Sequence, residues 1–265
     1  MTKRAVILAA GFGSRLTDGG PIPKPLVEVG DEPLLSRILR TLGSEGIEEA
    51  VIVVGHRREV IQTEVRGWTH LDMDIEFVVN DEYDLSNGVS LVKAAPYIDE
   101  HCILSMSDHL YSPDLVRAVM DRPVREEESV LGIDRKVADV FDIDDATKVR
   151  LDGSRIFDIG KTLTHYDAID TGVFHISPKL VEILAGLYAT RGDCSLSDGV
   201  KTLAARGDMG HADVGEAFWV DVDTPLAQRY AEVMLRLLGD DLQGLPAPAV
   251  ASMGARVLAL ASAAW

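Results

Sequence analysis

Cysteine is scarce in this chain of 265 residues, which contains only Cys102 and Cys194. The two lie far apart, and neither belongs to a Cys-x-x-Cys pair or stands near histidines at metal-ligand spacing. The sequence therefore argues against a zinc-binding or disulfide-framework domain. Cys102 lies in the apolar run CILSM and is interpreted as a core residue.

Positive charge is also in short supply. The chain has 26 Lys and Arg against 43 Asp and Glu, which gives a net charge of −17. A nucleic-acid-binding protein needs a basic surface, so the composition argues against that class. It does not exclude anionic substrates, because a few local basic residues together with Mg²⁺ are able to bind them in an acidic protein.

Long hydrophobic runs are missing as well. The first apolar run, Ala5–Ala10, has six residues before the first glycine of the chain, shorter than the roughly 7–15 residues of a signal-peptide core. No uninterrupted apolar run approaches the ~20 residues of a membrane span. We therefore expect a protein that does not span a membrane and is soluble and cytoplasmic.

The first half of the chain alternates short apolar runs with amphipathic segments, which predicts β-α-β units. The predicted strands are Ala5–Leu8, Ala50–Val54, Ile75–Val79 and Cys102–Met106, and the helical segments are Pro33–Leu42, Arg57–Arg66 and Val89–Ala94. Right-handed crossovers place the carboxyl ends of such strands at one ligand-binding edge. We predict an α/β fold with a Rossmann-like, mostly parallel (mixed) sheet and helices on both faces.

The second half has short predicted strands linked by turn-like segments, a pattern closer to an antiparallel meander. Its predicted strands are Ser129–Ile133, Lys148–Leu151, Arg155–Ile159 and Ala168–Ile176. Two helices are predicted to begin at Ser177-Pro178 and Thr224-Pro225, with the hydroxyl residue as N-cap and proline in the first turn, and Gly239 is a plausible C-cap. From Asp240 onward the chain is rich in Pro and Ala, which predicts a tail or linker.

The stretch GFGSRL, residues 11–16, directly follows the first predicted strand. A dinucleotide-binding loop would have a third glycine where this chain has Leu16, and no P-loop sequence occurs. The remaining interpretations are a loop whose backbone N–H groups bind an anion beside Arg15, or a simple tight turn.

The string Leu8-Ala-Ala-Gly-x-Gly-x-Arg-Leu16, followed by Lys24-Pro25-Leu26, resembles the sugar-nucleotidyltransferase superfamily. The resemblance runs from Arg4 to about Leu238 and implies a nucleotide-diphospho-sugar transferase fold. It implies that Arg15 and Lys24 are catalytic and neutralise the reacting phosphates of a nucleoside triphosphate. It also implies that the nucleotide is bound by Leu8, Ala9, Ala10, Gly11, Gly13 and Ser14.

Carboxylates follow two further predicted segments. Asp108 comes just after the apolar run that ends at Met106, and Asp221 and Asp223 lie in FWVDVDT. Carboxylate oxygens and substrate phosphates are preferred ligands of Mg²⁺, and the resemblance implies that these aspartates bind it. Asp221 aligns best with the second metal-binding residue of the superfamily, and Asp223 is the alternative. Either could instead cap the following helix, and His109 is interpreted as structural.

The base and the acceptor are predicted from closer resemblance. Asn87 and Ser90, in NGVS, resemble the base-contacting or ribose-contacting positions of cytidylyltransferases, which favours CTP. MSDHLYSPDLV, DATKVRLDGSRIFDIGKTL and YDAIDTGVFHIS resemble the inositol-1-phosphate cytidylyltransferases, here without the fused membrane CDP-alcohol phosphotransferase. The resemblance places Lys148, Lys161, Asp170, Thr171 and Gly172 at the acceptor, with Lys148 slightly preferred to Lys161.

The sequence thus predicts a Mg²⁺-dependent cytidylyltransferase that converts CTP and inositol 1-phosphate to CDP-inositol and pyrophosphate. The predicted nucleotidyltransferase domain is 1–239, with a nucleotide-binding part at 1–125 and a small antiparallel acceptor-binding and second-metal part at 126–239; the tail is 240–265. A homodimer is compatible with the sequence. Alternatives are another phosphorylated alcohol, a phosphonate or a hexose 1-phosphate as acceptor, or a non-catalytic nucleotide-sensing relative.

Overall fold

The protein is an α/β fold built on one nine-stranded mixed sheet, seen in a computed structural model that describes residues 2–17 and 20–243. The strands of the described chain are β1 Arg4–Ala9, β2 Glu28–Val29, β3 Glu32–Pro33, β4 Glu49–Val54, β5 Asp74–Val79, β6 Cys102–Met106, β7 His109–Tyr111, β8 Ser129–Asp134, β9 Lys148–Asp152, β10 Arg155–Gly160, β11 Ala168–Ile176, β12 Met209–Asp213 and β13 Trp219–Asp221. The helices are α1 Ser14–Thr17, α2 Leu34–Ser44, α3 Arg58–Arg66, α4 Asn87–Lys93, α5 Pro113–Met120, α6 Pro178–Arg191, α7 Leu196–Arg206 and α8 Pro225–Leu238.

The order of strands in the large sheet is β5-β4-β1-β6-β11-β8-β12-β10-β9. Strands β5, β4, β1 and β6 pair in parallel, as the β-α-β alternation predicts. The second half is not a separate meander: β11 pairs antiparallel with β6, and β12 inserts in parallel beside β8. The predicted antiparallel pairing is nevertheless present among the four predicted strands, since β9 pairs with β10 and β11 pairs with both β8 and β9.

Helices cover both faces of the sheet because each buried strand is apolar on both sides. In β1 the alternate residues Ala5, Ile7 and Ala9 pack with α2, α3, α5 and α8, whereas Val6 and Leu8 pack with α4, α6 and α7. This period of two, without a polar face, is typical of a sheet buried on both sides. The predicted fold class is therefore confirmed.

The predicted caps of α8 are present, whereas Ser177, at the start of α6, forms no capping hydrogen bond and donates to the carbonyl of Glu127 instead. Thr224 accepts a hydrogen bond from the backbone N–H of Ala227 at the start of α8, Pro225 is its first residue and Gly239 is its C-cap. The core extends slightly past the predicted boundary at 239, since Leu242 is buried and Asp240 forms an ion pair with the buried Arg37. Residues 244–265 of the predicted tail lie outside the described residues.

A buried histidine lies at the end of β11 that is remote from the ligand-binding edge. His175 Nε2 is 2.9 Å from Thr2 Oγ1, and its Nδ1 has no hydrogen-bond partner among the described residues. Burial, reinforced by the neighbouring His101 ring, lowers the pKa of His175 from 6.5 to about 4. The folded chain therefore holds this imidazole neutral where an unfolded chain would protonate it.

We expect this histidine to lower the free energy of unfolding as the pH falls from 6.5 to about 4. Its folded-state pKa is depressed, so in that interval the unfolded chain binds more protons and acid favours unfolding, by about 3 kcal/mol at most. Asp170 acts in the opposite sense over an overlapping interval, because burial raises its pKa to about 6.

The measurement is therefore a difference between variants. Urea unfolding of the wild type and of His175→Gln is compared above pH 6.5 and near pH 4, with the exposed His165→Gln as control. We expect His175→Gln to lose less stability in acid than the other two proteins. An identical pH profile for all three would contradict the assignment.

Candidate active site

Two adjoining cavities open at the carboxyl ends of β1 and β6. The first, of about 320 Å³, is lined by the glycine-rich stretch after β1, which is residues 11–14, and is here named the loop cavity. The second, of about 300 Å³, has six aspartates in its lining and is here named the acidic cavity. Their common wall consists of Arg15, Asn87, Met106, Asp108 and Asp223. Ligands in the two cavities would therefore meet at these side chains.

The glycine-rich stretch is folded tightly against Lys24. Gly13 has φ +59°, and a Cβ built there would lie only 2.4 Å from the Cβ of Lys24, so this position requires glycine. Gly11 has open space around it, which leaves the backbone accessible from the cavity. All the predicted nucleotide-binding residues line the loop cavity, namely Leu8, Ala9, Ala10, Gly11, Gly13, Ser14, Asn87 and Ser90.

Lys24 is the buried cation at the centre of the site. Its ammonium lies 2.8 Å from Asp108 Oδ2 and 3.9 Å from Asp221 Oδ1, and it also forms an ion pair with Asp223. The lysine begins a short 3₁₀ turn, Lys24–Leu26, which follows Pro23. Three carboxylates around one ammonium leave an excess of negative charge that favours a further cation.

Arg15 lies between the two cavities and is half exposed. Its Nη1 donates to Asp145 Oδ2 at 2.8 Å, and its Nη2 forms an ion pair with Asp223. Asp145 also accepts a hydrogen bond from Lys161 Nζ at 2.9 Å. The segment between β8 and β9, which carries Asp145, thereby reaches the residues that follow the glycine-rich stretch. Sequence analysis did not select Asp145, because its two contacts are remote in the chain.

His109 is packed more closely into the site than sequence analysis suggested. Its Nδ1 is 2.7 Å from Asp108 Oδ1, and its ring stacks on Trp219 with centroids 6.2 Å apart. Gly172 has φ +75°, and a Cβ there would lie 2.7 Å from the imidazole. Trp219 is fixed in turn by donation from Nε1 to Asp134 at 2.9 Å. His109 therefore fixes one oxygen of Asp108, while Lys24 holds the other.

These contacts alter the ionisation of the buried groups. Burial opposes ionisation of Asp108, but the charges and hydrogen bonds of Lys24 and His109 hold its pKa well below its usual range. Burial likewise opposes protonation of His109, yet Asp221 and Asp108 raise its pKa to about 9. Burial raises the pKa of Asp221. The site thus combines a firmly ionised Asp108 with a second, weakly partnered carboxylate.

The aspartates fit the Mg²⁺ that the family resemblance implies. One ligand atom from each of Asp145, Asp221 and Asp223 lies within 4.8 Å of the others, and Asp221 also groups in this way with Asp108 and His109. Asp221 Oδ1 is buried without a hydrogen-bond partner in the described chain, whereas Asp223 is held by both Arg15 and Lys24. Hard carboxylate oxygens suit Mg²⁺, and the unpartnered oxygen favours Asp221 over Asp223.

The predicted acceptor-binding residues are divided by the structure. Lys161, Asp170 and Gly172 line the acidic cavity, whereas the lining does not include Lys148 or Thr171. Lys148 is 7% exposed and donates to the backbone oxygen of Asp144 at 2.9 Å. Thr171 is fully buried and donates to the carbonyl of Gly132 at 2.8 Å. The geometry favours Lys161, rather than Lys148, as the lysine that reaches a bound acceptor.

Asn87 and Ser90 line the loop cavity, and both also take part in internal hydrogen bonds. Asn87 Oδ1 accepts from the backbone N–H of Leu196, and Ser90 Oγ accepts from Asn80 Nδ2 at 3.0 Å. The buried Asn80, which directly follows β5, lines neither cavity but holds Ser90 in place, and sequence analysis did not select it. Its position directly after the predicted strand Ile75–Val79 was the available signal.

An enzyme that joins a nucleotide to a phosphorylated acceptor must hold two anions side by side. The fold and the two adjoining cavities are those of a nucleotidyltransferase. Residues 5–139 match the MobA-like NTP transferase domain, and the chain belongs to this family. It is 36% identical over 236 residues to the bifunctional IPC transferase and DIPP synthase of Rubrobacter xylanophilus, covering 87% of this chain and 51% of that protein. The chain thus spans about half the length of that relative.

Two further proteins are similar to this chain. The structure of the inositol-1-phosphate CTP transferase from T. maritima aligns with a TM-score of 0.79 and 27% identity, covering 90% of this chain and 97% of that one. The CMP-5′-(3-aminopropyl)phosphonate synthase of Streptomyces rubellomurinus is 31% identical over 251 residues, covering 86% of this chain and 38% of that protein. In the described part of the chain, no helix has the length and hydropathy to cross a membrane.

Proposed function

We propose that the protein is a Mg²⁺-dependent cytidylyltransferase that transfers CMP from CTP to inositol 1-phosphate, releasing pyrophosphate. The observation that carries the proposal is the shared wall of the two cavities, where Arg15, Asp108 and Asp223 lie between the glycine-rich stretch and Asp170. The nucleotide would occupy the loop cavity and the acceptor the acidic cavity. The 27% identity to an inositol-1-phosphate CTP transferase of the same fold supports this pair of substrates.

The reaction needs no protein base. A phosphate monoester is mostly dianionic at neutral pH, since its second pKa is about 6, and its oxygen attacks the α-phosphorus of CTP. A new P–O bond forms, the bond between the α-phosphorus and the bridging oxygen breaks, and pyrophosphate leaves with the electron pair. Arg15 and Lys24 offset the repulsion between the anions and the charge that develops on pyrophosphate.

Asp108 and Asp221 are the residues that would hold Mg²⁺, with Asp223 positioned by the two cations. When bound, the ion supplies further neutralisation of phosphate charge. In the acidic cavity, Asp170 offers a carboxyl group to the ring hydroxyls of a polyol. Its Oδ1 already accepts from the backbone N–H of Gly172 at 2.8 Å, which fixes its orientation.

A phosphonate acceptor is the second candidate, and the similarity to the aminopropylphosphonate enzyme favours it. The acidic cavity is rich in carboxylates, which suit an ammonium group as well as hydroxyls. Phosphocholine is a weaker candidate than either. The lining of the acidic cavity contains the rings of Phe141, Phe174 and Trp219.

These three rings do not form an open cage for a quaternary ammonium. Phe174 is 1% exposed, His109 covers one face of Trp219, and Tyr230 stacks on Phe141 with centroids 4.9 Å apart. A choline head group would therefore meet ring edges or covered faces. We expect phosphocholine to be a poor acceptor.

The test measures pyrophosphate release with four nucleoside triphosphates against inositol 1-phosphate, 3-aminopropylphosphonate, glucose 1-phosphate and phosphocholine. We expect CTP with inositol 1-phosphate to give the highest kcat/KM, with CDP-inositol identified as product by ³¹P NMR. Efficient turnover of the phosphonate with inositol 1-phosphate inert would replace the proposed acceptor. Absence of pyrophosphate with every pair would refute the proposed function.

A further inference from the structure

A single carboxylate, that of Asp145, contacts both of the half-exposed cations of the acidic cavity. Asp145 accepts from Arg15 Nη1 on one oxygen at 2.8 Å and from Lys161 Nζ on the other at 2.9 Å. Arg15 follows the glycine-rich stretch and Lys161 follows β10, so Asp145 bridges the two sides of the cavity. An oxyanion bound by both cations would occupy the same position as this carboxylate.

The other charges of the lining give these two cations particular weight. Among the described residues that line the acidic cavity, the basic ones are Arg15, His109 and Lys161, against six aspartates. His109 is committed to Asp108 and stacked on Trp219. An anionic group that enters the cavity therefore gains a cationic partner chiefly by taking the place of Asp145.

The ion pairs of Asp145 are weak enough to be exchanged. The side chains of Arg15 and Lys161 are 51% and 56% exposed, and ion pairs at such positions contribute about 0–1 kcal/mol. A phosphate or phosphonate group offers three oxygens and more charge than a carboxylate, and it forms stronger bonds with guanidinium and ammonium groups. The acceptor is thus able to outcompete the internal carboxylate.

The backbone that carries Asp145 lies outside the large sheet. Asp145 belongs to a turn between β8 and β9, which is anchored on α8 by the stacking of Phe141 on Tyr230. The neighbouring Asp144 is exposed, and its side chain has no hydrogen bond or ion pair with the rest of the described chain. Asp145 contacts both Arg15 and Lys161, whereas Asp144 contacts neither, so the two adjacent aspartates form a matched pair for an experiment.

We propose that Arg15 and Lys161 form one subsite for the phosphate or phosphonate group of the acceptor, and that Asp145 occupies this subsite until the acceptor displaces it. The inference rests on the proposed function in that it takes the acidic cavity as the acceptor's site. Asp145 then sets the acceptor's affinity by direct competition. Removing its charge frees Lys161 and the Nη1 side of Arg15, whose Nη2 stays paired with Asp223, and this tightens anion binding.

The experiment titrates the folded protein with inorganic phosphate by isothermal calorimetry, without nucleotide. Compared with the wild type, Asp145→Asn is expected to bind phosphate about tenfold more tightly, a gain of about 1.4 kcal/mol. Asp144→Asn removes the same charge from the same turn and is expected to change the affinity by less than about twofold. Adding Lys161→Gln to Asp145→Asn is expected to abolish the gain, which excludes binding in the loop cavity.

Two results would overturn the inference. One is an unchanged or weaker phosphate affinity in Asp145→Asn, which would make Asp145 a residue that positions Arg15 and Lys161. The other is an equal gain in Asp144→Asn, which would reduce the effect to net charge. The calorimetry does not use CTP or inositol 1-phosphate, so failure of the proposed substrates and failure of this subsite remain distinguishable.

Discussion

Replacing Asp108 by asparagine is expected to reduce kcat by roughly 10³-fold or more while the fold survives. The change keeps the volume of the side chain but removes the charge that Lys24 and His109 hold from either side. Removing one preorganised electrostatic element of this kind costs about 10²–10³-fold in the rate of an enzyme, and loss of a Mg²⁺ ligand adds to that. Steady-state kinetics with CTP and the best acceptor give the measurement.

The control for Asp108→Asn is Asp99→Asn, an exposed aspartate that pairs with Arg4 at the amino end of β1. This variant should retain wild-type turnover. Chelation with EDTA is expected to silence both the wild type and the control. Undiminished turnover in Asp108→Asn, with thermal unfolding unchanged, would remove Asp108 from the mechanism.

Replacing Lys24 by methionine is expected to lower kcat by roughly 10²-fold or more, with a smaller change in KM for CTP. Lys24 lines the loop cavity, and its ammonium lies among three carboxylates, of which Asp108 and Asp223 belong to the wall shared with the acidic cavity. Its charge therefore matters most when phosphate charge develops in the transition state. The substitution also removes one cationic partner from each of three partly buried carboxylates, although Asp108 keeps His109 and Asp223 keeps Arg15, and this costs about 1–3 kcal/mol of stability. A lower melting temperature is therefore part of the expected result.

Arg15→Gln tests the loss of kcat without the loss of stability that is expected for Lys24→Met. Arg15 is half exposed, so its removal should leave thermal unfolding nearly unchanged while kcat falls by a similar factor of roughly 10². An effect of either substitution confined to KM would make these residues docking groups. Equal rates in the wild type and in Arg15→Gln would contradict a catalytic role for that guanidinium.

Much of the fold was predictable because its signals are local. The predicted bounds of Cys102–Met106 and Ala168–Ile176 match β6 and β11, and the proline starts of α6 and α8 lie where the N-cap rules place them. Sequence analysis missed α7, although Ser195 and Asp198 form a capping box at its start. Leu196, Val200 and Leu203 follow the helical spacing i, i+4, i+7, and this period together with the cap was the available signal.

The arrangement of the second half was not predictable in the same way. Nothing in the sequence of β12 states that it inserts beside β8, because the choice depends on pairing between segments remote in the chain. For the same reason, some residues of the site were predictable from the sequence and others were not. The glycine-rich stretch and Lys24 are close in sequence, whereas the partners of Asp145 are brought to it only by the completed sheet.

The hydrogen-bonded ladder between β6 and β11 has a consequence for how substrates get in and out. Residues 102–105 pair directly with residues 173–176, so the strands behind the two cavities belong to one continuous sheet. A hinge that opened one half away from the other would break this buried ladder, which makes clamshell motion costly. Rearrangements that accompany binding and release are then confined to the connecting segments at the sheet's edge, which carry the residues around both cavities.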